Sequence, residues 1–265
     1  MRLKIHASSQ ENVELPYNYQ YQLQFALYEL ILQNAFNYTE YVQNLGFFNP
    51  ERPKLFCYSK LFFYNHKFTR RAIRNVKKIS FYFSSFLSGI ETRALKKIFL
   101  HKKLRMHFHN KSVYFKIIDI TSEPEPEFSD KMKFTCLSPI LIKDCNSCDR
   151  NKHYLNYLKN FERERYKKSL KQDLLKKYEI VNHKEFPNPE VEFDFQYDPE
   201  YIEKRNGKIT KLIHFSQKTK FKAIESPFTL QTDPRLIEIG YQIGFGIQNS
   251  IGFGMTDAIT KKRLK

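Results

Sequence analysis

The 265 residues carry 45 Lys and Arg against 28 Asp and Glu, a formal net charge of +17, with 41% hydrophobic and 16% aromatic residues. With 25 Phe and 17 Tyr, the chain has too many core formers to stay disordered, and its length suits one large domain or two small ones. The charge attracts polyanions, whether RNA, DNA or an anionic membrane surface, although a lysine-rich proteome leaves a similar surplus on any soluble surface. It is concentrated early: residues 1–120 hold 19 basic against 7 acidic side chains, a net of +12, and residues 121–265 hold 26 against 21, a net of +5.

In chain order, RLKIHA reads as a first strand and YQLQFALYELILQ as a helix, with Tyr21, Phe25, Tyr28 and Leu32 sharing an apolar face. A short helix over roughly 37–45 is expected next. KLFCYSKLFFY and KKISFYFSSFL then read as strands separated by the basic stretch HKFTRRAIRNVKK. ETRALKKIFLH has helical spacing, and LRMHFHNKSVYFKIIDI gives one bent strand or a hairpin. The order is β-α-β-β-α-β, the ferredoxin-like arrangement.

TSEPEPEFSD, residues 121–130, alternates Pro with Glu and reads as a surface linker between a domain over 1–122 and one over 131–265. Beyond it, MKFTCLSPILIK is a strand, and HYLNYLKNFERERYKKSLKQDLLKKYEI a long helix with Tyr166, Leu170, Leu174 and Tyr178 four apart on one face. EVEFDFQY and ITKLIHFSQKTKFKAIESPFTL supply strands. DPRLIEIGYQIG opens with Asp233 as cap and Pro234 at the first helical position, and IGFGMTDAI closes as a strand. The expected fold class is α+β, two tandem ferredoxin-like (RRM-like) domains side by side.

The longest uncharged stretch, residues 239–256, is rich in glycine and polar residues, so it lacks the apolar run of a membrane span. The amino-terminal MRLKIHASSQENVELP lacks a secretory core, and a cytoplasmic location is expected, with no membrane partner. Cys136, Cys145, Cys148 and His153 have the ligand types of a Cys3His zinc site, but a single CxxC in a polar loop equally reads as free thiols. No cofactor is expected.

Gly244, Gly246, Gly252 and Gly254 bracket Ile247, Gln248, Asn249 and Ser250 directly after a predicted helix. Such a backbone can take positive φ and bring successive N–H groups to phosphate oxygens. It is neither a Walker loop nor a dinucleotide fingerprint, since it follows a helix and lacks the closing Lys-Ser or Lys-Thr. A tight helix-to-strand turn is the other reading.

GFGIQNSIGFGM resembles the carboxy-terminal glycine-rich motif of the repeat-associated (RAMP) superfamily, and specifically of its sixth Cas family, which cuts CRISPR transcripts within their repeats. Three stretches match in order: RLKI with LPYNYQYQLQFALYELI, then KLFCYS, then LSPI. The resemblance spans nearly the whole chain. It implies a basic cleft for CRISPR repeat RNA and metal-independent cleavage, in which the ribose 2′-OH attacks the adjacent phosphate to leave a 2′,3′-cyclic phosphate and a 5′-OH. It also implies association with a CRISPR effector complex and a possible homodimer.

The pattern breaks where the family places a catalytic His, because here YVQNLGFF puts Gln43 at the matching position. An amide does not titrate, so it can orient a phosphate or hydroxyl but cannot move a proton. Tyr28 and Lys54 match the family's other catalytic positions: Tyr28 as a hydrogen-bond partner of the attacking hydroxyl or phosphate, Lys54 as charge for the phosphorane. Where many relatives carry Lys or Arg before the Asn-Ser step, this chain has Ile247 and Gln248. Loop contact to RNA then rests on Gly244, Gly246, Gln248, Asn249, Ser250, Gly252 and Gly254, and the charge falls to Lys67, Arg70, Arg71, Arg74, Lys77 and Lys78. A binding protein that grips repeat RNA without cutting it, and a structural subunit of an effector complex, are the competing functions.

Overall fold

The computed structural model describes residues 1–33, 54–86, 89–109, 111–145, 154–216 and 219–259. The chain divides into two compact units, Met1–Pro124 with Ser250–Gly252, and Glu125–Asn249 with Phe253–Lys265.

The first unit is built on β1 (Arg2–Pro16), whose Leu3, Ile5 and Ala7 are buried while Lys4, His6 and Ser8 between them are half-exposed. That alternation fits a strand packed on one face only. β1 pairs antiparallel with β5 (Ala72–Ser85) on one side and β7 (Lys111–Glu123) on the other. β2 (Phe56–Tyr58), β3 (Phe62–Tyr64) and β4 (Lys67–Phe68) all pair with β5, and β6 (Lys103–Phe108) forms a hairpin with β7. The order β2-β5-β1-β7 is that of a ferredoxin-like sheet, with β6 added at the edge. α1 (Gln20–Gln33) and α2 (Gly89–Phe99) cover the apolar face, where Leu27, Ile31, Leu95 and Phe99 join Ile5, Phe81 and Phe83 in one core.

Two expectations change here. The predicted basic connector is itself paired structure: Thr69 caps Ala72 in a tight hairpin, and β5 starts at Ala72, so Arg74, Lys77 and Lys78 are strand residues. α1 buries Leu23, Ala26, Leu27, Leu30 and Ile31, not the Tyr21-Phe25-Tyr28-Leu32 line, of which Phe25 and Leu32 remain 56% and 45% exposed. Both lines have helical spacing, and the aliphatic one fills the sheet's pleats more densely. The short helix expected over 37–45 lies outside the described residues.

Thr121, Ser122 and Glu123, read as linker, extend β7 by pairing with Lys4, Leu3 and Arg2. The second unit then runs β8 (Lys131–Cys136), α3 (Asn160–Asn182), β9 (Asp194–Tyr197), β12 (Phe228–Gln231), α5 (Pro234–Ile243) and β13 (Thr256–Ala258). Its sheet order is β13-β8-β12-β9, antiparallel throughout, a second ferredoxin-like unit. A helix α4 (Pro199–Lys204) and a hairpin of β10 (Thr210–His214) with β11 (Lys220–Ile224) are inserted between β9 and β12.

The predicted stripe of α3 is buried as read, and Tyr166 meets Tyr197 hydroxyl to hydroxyl at 2.6 Å beneath it. Asp233 caps α5 by accepting from the Arg235 N–H at 2.9 Å, with Pro234 in the first turn. The closing strand is shorter than expected, because Asn249–Ile251 form a turn of 3₁₀ helix. Among the described residues no helix is long and apolar enough to cross a membrane.

Candidate active site and RNA interface

The tip of the glycine-rich loop, Ser250–Gly252, clusters with the first unit. There the Tyr28 phenol lies by the side chains of Ser250 and Gln24, and burial raises its pKa against the pull of both. Tyr28 therefore stays protonated near neutral pH and serves as a hydrogen-bonding group, not a base. Its ring stands edge-on to Phe56, centroids 6.0 Å apart, which fixes the hydroxyl at the border of the core. This placement follows from the face α1 buries: Tyr28 lies beside the aliphatic stripe and stays half-exposed.

Gly252, at φ +95°, sits on the ring of Tyr58, where an added Cβ would come within 3.0 Å of Cε2. Tyr58 is 1% exposed, and its hydroxyl finds no hydrogen-bond partner among the described residues. Lys54 is half-buried two residues before Phe56, on the chain that leads into β2. Gln43 lies outside the described residues.

The arms of the loop belong to the second unit, and there the amides are bonded within the protein. Gly244 N–H donates to Gly240 O, Phe245 N–H to Gly254 O, Ile247 N–H to Leu141 O and Gly254 N–H to Pro139 O, all within 2.8–2.9 Å. The Gly246 N–H lies near the Asp173 carboxylate and favours its charged form. With those amides bonded within the protein and Gly244, Gly246, Gly252 and Gly254 all buried, the glycines shape the loop. Asn249 is turned inward as well: 6% exposed, its Nδ2 donates to Phe253 O at 3.1 Å and Phe245 O at 3.4 Å, tying the two arms together. The half-exposed side chains are Ile247, Gln248, Ser250 and Ile251. Gln248 is held at φ +63°, a left-handed conformation rare outside glycine, which marks this tip as a strained, specified turn.

Sequence reasoning missed the pair beneath the loop. Lys177 of α3 is 6% exposed, and its Nζ donates to Gly244 O at 2.7 Å, Gly246 O at 2.6 Å and Asp173 Oδ2 at 2.7 Å. Burial raises the Asp173 pKa, against the pull of Lys177 and of the Gly246 N–H. An Asp and a Lys four apart on a helix read as a solvated surface pair, so only the loop packed over them gives the pair away.

Arg70 and Arg71 are exposed at the β4–β5 turn, and Lys77 and Lys78 are exposed next to each other in β5, where its pairing with β1 shifts register. Arg74 is engaged by Glu14 at 2.6 Å, an exposed pair that contributes roughly 0–1 kcal/mol and yields readily to a phosphate. For the zinc reading, Cys148 and His153 lie outside the described residues, Cys136 donates its Sγ–H to Ser226 O at 3.2 Å, and Cys145 is exposed. Among the described residues no three metal-ligating side chains converge.

Two ferredoxin-like units in tandem, the second carrying a glycine-rich loop between its last helix and last strand, define a protein of the repeat-associated architecture. A family model described as CRISPR associated protein Cas6, C-terminal, matches residues 123–258, and one described as CRISPR-associated protein Cas6, N-terminal, matches residues 14–119. The chain belongs to the Cas6 family, the one its motifs resemble. It is 25% identical over 266 residues to a Methanocaldococcus jannaschii protein named CRISPR-associated endoribonuclease Cas6 1, covering 100% of this chain and 95% of the relative. A Pyrococcus furiosus protein named CRISPR-associated endoribonuclease Cas6 is 26% identical over 255 residues, covering 95% of this chain and 86% of the relative. A solved structure titled CRISPR associated protein Cas6 superposes with a TM-score of 0.74 at 23% identity, covering 98% of this chain and 99% of the other.

Proposed function

We propose that this Cas6 chain binds CRISPR repeat RNA and cuts it by attack of a ribose 2′-OH on the adjacent phosphate. The observation that carries this reading is the approach of Ser250 to Tyr28, which brings the tip of the family's glycine-rich loop and a phenol to one point. The new P–O2′ bond forms as the P–O5′ bond breaks. Tyr28 hydrogen-bonds the phosphate, Lys54 neutralises the charge that builds on the phosphorane, and Gln43 orients without titrating. The 2′-OH proton leaves to solvent and the 5′-oxygen takes one back. Losing the usual His costs about 10²–10⁴ in rate, tolerable for an enzyme that turns over once and keeps its product. Ser250 and Gln248 offer loop contacts, while Arg70, Arg71, Arg74, Lys77 and Lys78 supply phosphate attraction whose strength falls steeply with salt.

Incubating the pure protein with its cognate repeat RNA in EDTA tests this: a 5′-OH fragment is expected. Tight binding without product would instead establish the second reading, a non-cutting repeat-RNA-binding protein, which Gln43 favours. The pH dependence separates the mechanisms further. With no imidazole titrating at position 43, the single-turnover rate is expected to climb steadily across about pH 5.5–7.5; an inflection near about 6.5 would assign the proton transfer to a histidine elsewhere.

A further inference from the structure

We infer that Asp173 and Lys177 are positioning residues for RNA cleavage, acting through the glycine-rich loop; this rests on the proposed function and extends it to a pair on α3. The ammonium spends all three protons, on Gly244 O, Gly246 O and Asp173 Oδ2. The pair thus holds two carbonyls of the loop arm, those of Gly244 and Gly246, on one buried cation. Gly244 and Gly246 stand at φ +105° and +75°, a backbone with wide conformational choice, and the Lys177 ammonium adds two carbonyl contacts to the amide bonds that hold it in one state.

Stability alone does not account for the arrangement, since a buried ion pair gains little over apolar side chains of the same volume. What the pair adds is direction: two carbonyls converge on one cation, and the chain leaves Gly246 on a fixed course. Ser250 follows four residues later, where its hydroxyl meets Tyr28. A loop ordered before RNA arrives does not have to be ordered by binding, and its hydroxyl is already placed for the reaction.

The test compares wild type with Lys177→Met/Asp173→Leu, which keeps buried volume and leaves no lone charge. Melting temperature, repeat-RNA affinity, single-turnover cleavage at saturating protein and amide exchange over 247–253 are read together. Expected are a folded variant, affinity about 10-fold weaker, cleavage about 100-fold slower, and loop amides exchanging at least about 10-fold faster, with β8 and β12 still protected. A variant that folds and keeps wild-type affinity, rate and loop protection overturns the inference. Should the double variant not fold, Lys177→Gln, whose amide stops short of both carbonyls, is expected to give the same pattern at smaller size; wild-type values in it overturn the inference equally. If wild type itself does not cut, the cleavage reading falls, and affinity with loop exchange still decides whether the pair orders the loop.

Discussion

Gly254→Ala is expected to lower stability by about 4 kcal/mol or more and to abolish repeat-RNA binding in whatever fraction stays folded. The φ of +75° contributes on the order of 1 kcal/mol of that for any L side chain. The rest is steric: the new Cβ would lie far inside van der Waals contact of Phe245 O and 2.5 Å from Asn249 Nδ2. Phe245 cannot step aside, because its own N–H is bonded to Gly254 O at 2.8 Å, and its ring packs at 5.3–5.4 Å against Phe228 and Phe134 in the sheet. Asn249 cannot move without releasing the two carbonyls it ties. Gly207 is the internal control, at φ +72° with nothing within 4 Å of an added Cβ, so Gly207→Ala should show the backbone contribution alone. Chemical denaturation of both variants measures the difference, and equal losses would mean that the loop yields where it is drawn tight.

Tyr28→Phe is expected to slow single-turnover cleavage by about 100-fold while repeat-RNA affinity stays within about threefold. The ring keeps its edge contact with Phe56, so the fold loses only a hydrogen bond, about 1 kcal/mol. Ser250→Ala removes the same contact from the other side, and the double variant should be no slower than Tyr28→Phe alone. Lys54→Ala belongs to the same class, with slowed cleavage and near-normal binding, because its charge is needed most in the transition state. Rates that multiply in Tyr28→Phe/Ser250→Ala would show that the two hydroxyls act separately.

Both units were legible in the sequence wherever burial is one-sided and local. Leu3, Ile5 and Ala7 alternate with polar residues in β1, the four-residue spacing of Tyr166, Leu170, Leu174 and Tyr178 marks the buried face of α3, and Asp233-Pro234 signals a helix start. Legibility ended where two answers share one spacing. α1 carries an aromatic and an aliphatic line, and only the sheet beneath decides that Leu27 and Ile31 go in while Tyr28 stays at the border.

The loop shows a different limit. Its glycines announce an unusual backbone, yet whether an amide faces a ligand or the protein depends on Leu141, Pro139 and Asp173, far away in sequence. In the segment read as a phosphate cradle the amides of Gly244, Phe245, Ile247 and Gly254 are bonded to the protein, and Ser250 and Gln248 are among its half-exposed side chains. Asn249, read as a ligand contact, is its internal brace. Lys177 lies three residues after Leu174 and seven after Leu170, on the border of the buried stripe, where a lysine is ordinarily expected to reach solvent by its stem.

The proposed nucleophile is a ribose 2′-OH, in a site that carries Gln at position 43. A repeat RNA carrying a single 2′-deoxy substitution at the scissile nucleotide, compared with the all-ribose RNA in EDTA, tests it most directly. The expected result is that both bind with the same affinity and only the ribose form is cut, leaving a 2′,3′-cyclic phosphate and a 5′-OH. Cleavage of the deoxy RNA at the same site and rate would contradict the account.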